Sequence, residues 1–224
     1  MNFVMRRDDW RKYCCEFIGT FSLVFFAAGA VMIGSKTGDL GAIGGGVISG
    51  LIVTIVIYTF GHISGAHVNP ALTITAAIMG KFKKRLVLGY IIAQMAGSGA
   101  AGYFLLWCIG PVAEMGANLP NLALGVKPGV AFAIELFLSF FLMWVICGCA
   151  FHRMAHSKIA GVVIGAVVGI EVMLMAPYAG AAMNPARAFG PYLARADFTY
   201  YWIYVIGPIV GMVAGGLTYK FTHK

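Results

Sequence analysis

Gly65-Ala66-His67-Val68-Asn69-Pro70-Ala71 recurs later in the chain as Gly180-Ala181-Ala182-Met183-Asn184-Pro185-Ala186, and this repetition decides the fold. Asn is among the best helix N-cap residues, and Pro suits the first helical position, where its missing N–H costs nothing. Each copy therefore reads as a helix start. The apolar stretch after the first covers 70–79 and stops at Gly80; the stretch after the second covers 185–195. At 1.5 Å per residue each reaches about 15 Å, half of a hydrocarbon core roughly 30 Å thick. One Asn-Pro alone would pass for an ordinary turn. Two copies placed alike among long apolar runs do not.

Those runs are six, at 13–33, 41–60, 86–109, 130–151, 159–178 and 200–221. Each is about as long as the 20 residues a spanning helix needs. Hydrophobic residues make up 60% of the chain and charged ones 11%, against roughly 25% charged in a soluble domain. So few charges cannot cover a soluble surface of this size, which makes lipid the solvent. The net charge of +8 invites a nucleic-acid reading, but the basic residues lie between apolar runs rather than on one face. That placement suits a membrane surface and argues against nucleic acid. The polar stretch 1–12 and the length of the first apolar run argue against a cleaved signal segment.

The repeat extends beyond the two motifs. Glu16-x-x-x-Thr20-Phe21 recurs as Glu135-x-x-x-Ser139-Phe140, and Gln94-x-x-Gly97 is answered by Pro208-x-x-Gly211. Each half holds three spans, with the Asn-Pro-Ala segment after the second. Three is odd, so the second half enters from the opposite face. The expected fold is an all-α membrane protein of six transmembrane helices plus two re-entrant half-helices, an inverted repeat. It forms one unit over 1–224, with repeat one at about 11–109 and repeat two at about 129–221. Its functional site belongs at the repeat interface near the midplane. Two half-helices meeting there make a broken seventh span, and non-helical backbone at that depth needs a buried or water-lined setting. A pore follows.

Lys and Arg set the orientation. Arg6, Arg7, Arg11 and Lys12, the segments 81–85 and 153–158, and Lys220 and Lys224 carry twelve; the alternate regions carry Lys36, Lys127 and Arg195. Both termini are therefore expected in the cytoplasm, in a plasma or inner membrane. Cys14, Cys15, Cys108, Cys147 and Cys149 fall within or at the ends of spans. One residue between Cys147 and Cys149 points their thiols apart on a helix, so packing is a better reading than metal.

Gly61-His62-Ile63-Ser64-Gly65-Ala66-His67-Val68-Asn69-Pro70-Ala71 and Met183-Asn184-Pro185-Ala186-Arg187 resemble the paired signatures of the aquaporin and glyceroporin family. The likeness runs from residue 16 to residue 211. It implies a right-handed bundle with a pore in each subunit of a homotetramer, and no cofactor. The family's pore asparagines map onto Asn69 and Asn184, its constriction arginine onto Arg187. The resemblance also puts constriction positions at Ser49, Val172 and Ala181. Water-selective members have bulky Phe and His at the first two. This chain is most similar to the nodulin-like intrinsic proteins and their bacterial relatives, with Pro177, Tyr204 and Val205 supporting that branch. Such channels carry glycerol and undissociated metalloid acids such as boric or arsenous acid. The alternative is a water-selective channel with little solute flux, if Ser49 and Ala181 only pack and another side chain narrows the pore.

Arg187 is also singled out by its own physics. It is the third residue of a half-helix, where the dipole already presents positive charge and a cation is unfavourable. The matching position in the first repeat is Leu72. A costly charge kept in one repeat at membrane depth points to function, here donation to a solute and rejection of cations. Glu16 and Glu135 are read as acceptors for half-helix or loop N–H groups. Glu171 either touches the pore or holds the second loop. By resemblance His67 lines a cytoplasmic vestibule, and Tyr192 stands where a small residue is usual. His62 reads as a structural loop residue; neither His has a ligand set for a metal. A transporter would also have inverted repeats, yet no coupling-ion carboxylate stands at the break. An enzyme would need a nucleophile–base pair, and none is evident. A passive channel remains.

Overall fold

Asp8 and Asp9 stand in the first turn of α1, where a carboxylate favourably opposes the helix dipole, and α1 runs Arg7–Thr37. It exceeds the apolar run 13–33 because its charged and polar ends continue a helix that hydropathy does not register. The computed structural model describes residues 7–155 and 157–223. Arg6 and Lys224, counted toward orientation, lie outside the described residues. The other long helices are α2 (Gly41–Ser64), α4 (Val87–Ile109), α5 (Pro128–Ile146), α6 (Ala160–Ala179) and α8 (Tyr201–Thr222). The two short ones are α3 (Pro70–Ile78) and α7 (Pro185–Arg195). Six helices are long and apolar enough to cross a membrane, and no strand occurs among the described residues. α5 ends in a π-helical turn over Cys147–Phe151. All five cysteines are free.

Each short helix starts as its sequence demands. Asn69 Oδ1 accepts the N–H groups of Ala71 and Leu72 at 2.9 and 3.4 Å. Asn184 Oδ1 accepts those of Ala186 and Arg187 at 2.9 and 3.2 Å. Met79 caps α3, and Gly80 leaves with φ 75°. α3 has 9 residues and α7 has 11, so neither reaches beyond about half a hydrocarbon core.

Small residues let the long helices meet backbone to backbone, the usual device where lipid supplies no hydrophobic drive between helices. α2 crosses α6 at Gly46 and Gly50 against Gly165 and Gly169, where an added Cβ would strike the facing backbone. α4 meets α1 at Gly97, against the Phe17 carbonyl. α8 meets α5 at Gly211, against the Leu136 carbonyl. The last two contacts are the same contact in the two repeats, so an approximate twofold relates the halves.

The basic segments gather at one end. Arg85 pairs with the buried Asp9 at 2.6 Å, and Lys81 Nζ donates to the Phe151 carbonyl at 3.1 Å. At the opposite end Arg195 binds Glu114 at 2.7 Å and Asp197 at 3.0 Å.

Candidate functional site

The loops that lead into α3 and α7 adopt a conformation most residues avoid. φ is 89° at Gly65, 47° at Ala66 and 41° at Val68; it is 95° at Gly180, 48° at Ala181 and 51° at Met183. For a non-glycine residue the left-handed region costs roughly 1–2 kcal/mol, and a β-branched Val there needs a compensating partner. The repeat-related carboxylates supply it. Glu16 Oε1 accepts His67 N–H at 3.0 Å and Oε2 accepts Val68 N–H at 2.7 Å. Glu135 does the same for Ala182 and Met183 at 2.7 and 2.8 Å. A hydrogen bond to a charged group contributes about 1.5–3 kcal/mol, enough to offset the strain.

Glu16 is the more fully used of the two. Ser64 Oγ and Gln94 Nε2 also donate to it, at 2.7 and 2.8 Å. Four donors saturate the four lone pairs of a carboxylate. The backs of the loops are fixed alike: Tyr90 donates to the Ser64 carbonyl at 2.6 Å, and Tyr204 to the Ala179 carbonyl at 2.9 Å.

At the centre the two repeats interlock. With Oδ1 occupied by the cap, each asparagine must present Nδ2 elsewhere. Asn69 Nδ2 donates to the Met183 carbonyl at 2.9 Å, and Asn184 Nδ2 to the Val68 carbonyl at 2.8 Å. Each Nδ2 carries a second hydrogen, and both asparagines line a narrow cavity. Pro70, Ala71, Pro185 and Ala186 are buried at the helix starts.

That cavity lies between the repeats. Leu23 and Ala27 of α1 line it, as do Leu142 and Ile146 of α5. Ser49, Val53 and Ile57 of α2 face Ile164, Val168 and Val172 of α6. Each set is a stripe at i, i+4 spacing, one face of a helix. Because the helices run in opposite directions, Ser49 and Val172 fall at the same end. A wider vestibule of about 740 Å³ opens there, against about 150 Å³ for the narrow cavity. Ala27, Ser49, Val172, Ala181 and Arg187 line both, so the passage narrows from one into the other at these five residues. The structure thus brings Ser49, Val172, Ala181 and Arg187 together. Ala27 was not anticipated; its spacing from Glu16 on one helical face was the available signal.

Arg187 is held by neutral oxygens. Its Nη1 donates to the Gly116 carbonyl at 2.9 Å and to Asn118 Oδ1 at 2.7 Å. Among the described residues no carboxylate lies within ion-pair distance of it. The charge is fixed in place without a direct ion pair, and among the described residues only Nη1 of the guanidinium makes a hydrogen bond. Ser49 Oγ donates to Gly45 O at 2.8 Å, which leaves the hydroxyl an acceptor there. Asn118 gave no sequence signal, because it lies in the loop between α4 and α5 without a repeat partner.

His67 lines the narrow cavity, its Nδ1 3.1 Å from Thr73 Oγ1 and its ring beside Phe82 and Tyr90. His62 lies exposed in the last turn of α2, not in a loop. Glu171 takes neither of its expected places. It lines neither cavity, and among the described residues it bonds no loop and both its buried oxygens are without a partner. Its side chain sits one helical step round from Val172, off the face that the passage sees. No group of three or more metal-ligating side chains occurs among the described residues.

The family model described as Major intrinsic protein matches residues 4–219. The chain is 38% identical to Aquaporin NIP1-1 of Zea mays over 218 residues, covering 96% of this chain and 76% of that one. It is 40% identical to the Probable aquaporin NIP-type of Nicotiana alata, again over 218 residues, with 96% and 78% covered. Its fold is similar to the X-ray structure of the aquaglyceroporin from Plasmodium falciparum. The TM-score is 0.79 at 25% identity, over 94% of this chain and 95% of that one.

Proposed function

The chain belongs to the major intrinsic protein family, a family of channels rather than enzymes, and from that premise we propose a passive channel for water and small uncharged solutes. The solutes are glycerol and undissociated metalloid acids such as boric or arsenous acid; protons and ions are excluded. One observation carries the reading. The five residues at the junction of vestibule and narrow cavity are one arginine and four small or medium side chains, with no aromatic or imidazole among them.

In this reading Ala27, Ser49, Val172, Ala181 and Arg187 form the selectivity filter. A neutral trihydroxy solute accepts from Nη2 and Nε of Arg187 and donates to Ser49 Oγ, with its apolar side against Val172. A solute that ionises must shed hydration inside a low-dielectric passage. The charge of Arg187, with no direct ion-pair partner, repels cations at the mouth. The N-termini of α3 and α7, each carrying about half a positive charge, repel them again at the centre. Asn69 and Asn184 lend their second amide hydrogens to the permeating file, and His67 lines the inner vestibule.

The basic end, with Arg85 and Lys81, is assigned to the cytoplasm together with both termini. The chain acts as one channel unit over 1–224 in a plasma or inner membrane. It assembles as a homotetramer, and exposed apolar side chains such as Trp107, Ile43 and Phe137 face lipid or neighbouring subunits.

Stopped-flow light scattering on proteoliposomes tests the function. Vesicles carrying the protein should re-swell in glycerol and in boric acid well above the rate of empty vesicles. Water flux without either solute flux would replace this reading by the water-selective one.

A further inference from the structure

Tyr192 stands five residues after Arg187, where the resemblance expects a small side chain. It is fully buried. Its ring packs against Phe198, Tyr201 and Tyr204 at centroid distances of 6.1, 5.4 and 6.1 Å, and the Arg195 guanidinium lies 5.6 Å from its centroid. A phenol so enclosed has one direction for its O–H. It donates to the Asn118 backbone carbonyl at 2.8 Å.

Asn118 is 3% exposed, and its side chain joins two parts of the constriction. Oδ1 accepts from Arg187 Nη1 at 2.7 Å, while Nδ2 donates to the carbonyl of Gly180, the residue before Ala181, at 2.6 Å. Turning the amide over would set N–H against guanidinium and oxygen against carbonyl, so only one orientation serves both.

The loop that delivers Asn118 is strained. φ is 49°, 52°, 58° and 68° at Ala113, Glu114, Met115 and Gly116, a left-handed turn in which only the last is glycine. Such a turn persists only where its surroundings fix it. Gly116 lies so close to the Ala28 backbone that a Cβ would collide, and Glu114 pairs with Arg195. Beyond Gly116 the loop is held through Asn118 and, three residues on, through Asn121, whose N–H and Nδ2 donate to the Tyr178 and Pro177 carbonyls at 3.0 and 2.9 Å.

We propose that Tyr192 is a positioning residue for Arg187: its hydroxyl fixes Asn118, Asn118 fixes the guanidinium, and the guanidinium's direction sets the balance of solute and water passage. The proposal rests on the reading of Arg187 as the filter arginine. Losing one neutral hydrogen bond shifts the ratio of clamped to unclamped loop about five-fold.

The test is the ratio of glycerol to water permeability in proteoliposomes for Tyr192→Phe, Arg187→Val and the double variant. Tyr192→Phe keeps the ring packing and should fold normally, yet move the ratio several-fold. In the Arg187→Val background it should add nothing, which a purely structural role would not produce. An unchanged ratio for Tyr192→Phe beside a changed one for Arg187→Val overturns the proposal and leaves the filter intact. An equal shift by Tyr192→Phe in both backgrounds overturns it too, since the tyrosine then acts without the arginine. Arg187→Val with wild-type ratio and wild-type cation exclusion sinks the filter reading itself, and the proposal with it. Should Tyr192→Phe fail to assemble, Asn118→Ala removes the Oδ1 that accepts from Arg187 while leaving the backbone carbonyl to which Tyr192 donates, and a wild-type ratio there is equally fatal.

Discussion

Asn69 and Asn184 reach past one another: the amide of each donates to the carbonyl that precedes the other, Asn69 to Met183 at 2.9 Å and Asn184 to Val68 at 2.8 Å. Each asparagine therefore starts its own helix and ties down the opposite one. The two half-helices form one element that neither repeat can build alone.

Asn184→Ala should lose about 1 kcal/mol of capping and the cross-bond to Val68 with it. Melting temperature in detergent and osmotic flux in proteoliposomes should both fall. Wild-type values in both measurements would remove the asparagines from the mechanism.

Arg187→Val deletes the fixed charge at the junction and leaves the half-helix dipoles. Water flux should persist while proton or cation leak rises, measured by pH equilibration across vesicles. Leak that stays at background means that the dipoles alone exclude cations and that Arg187 serves another purpose.

Ser49→Phe with Val172→His restores bulk at two of the five junction residues. Glycerol and boric acid flux should disappear while water flux is largely kept. Ala27→Phe should narrow the same place from α1 and lower solute flux in the same order. Continued glycerol passage through the double variant would mean that the junction is not where solutes are chosen.

Glu16→Gln sets an amide NH₂ where one oxygen accepts two donors, whereas the same change in Glu135 disturbs one. Each donor left unpaired costs about 1–3 kcal/mol. Glu16→Gln should therefore lower the melting temperature by more than Glu135→Gln. The reverse order would show that the extra donors to Glu16 contribute no stability.

Glu171 has two buried oxygens with no hydrogen-bond partner among the described residues. Glu171→Leu fills a similar volume without that burden and should stabilise the protein by roughly 1–3 kcal/mol, read as a higher melting temperature with water flux retained. A lower melting temperature would mean that the carboxyl has a partner that the fold supplies in the membrane.

The element list, the inverted repeat and the pairing of the two Asn-Pro-Ala segments were legible in the residues alone. Apolar runs long enough to span, and Asn-Pro caps at matching places in each half, follow from local chemistry that needs no neighbour. Glu16 and Glu135 could be read as loop acceptors, because a carboxyl in a membrane must find donors and the repeat offered the same ones twice. Whatever breaks the repeat emerged only in the folded chain. Asn118, Gly116 and Tyr192 hold Arg187 from a loop and a helix far apart in sequence, with no counterpart in the first half. Glu171 takes neither expected place, because one residue along a helix turns a side chain by about 100°, away from the face that Val172 presents. Hydropathy and capping are local properties, written residue by residue. The direction of one guanidinium depends on which distant oxygens the folded chain brings within 3 Å of it.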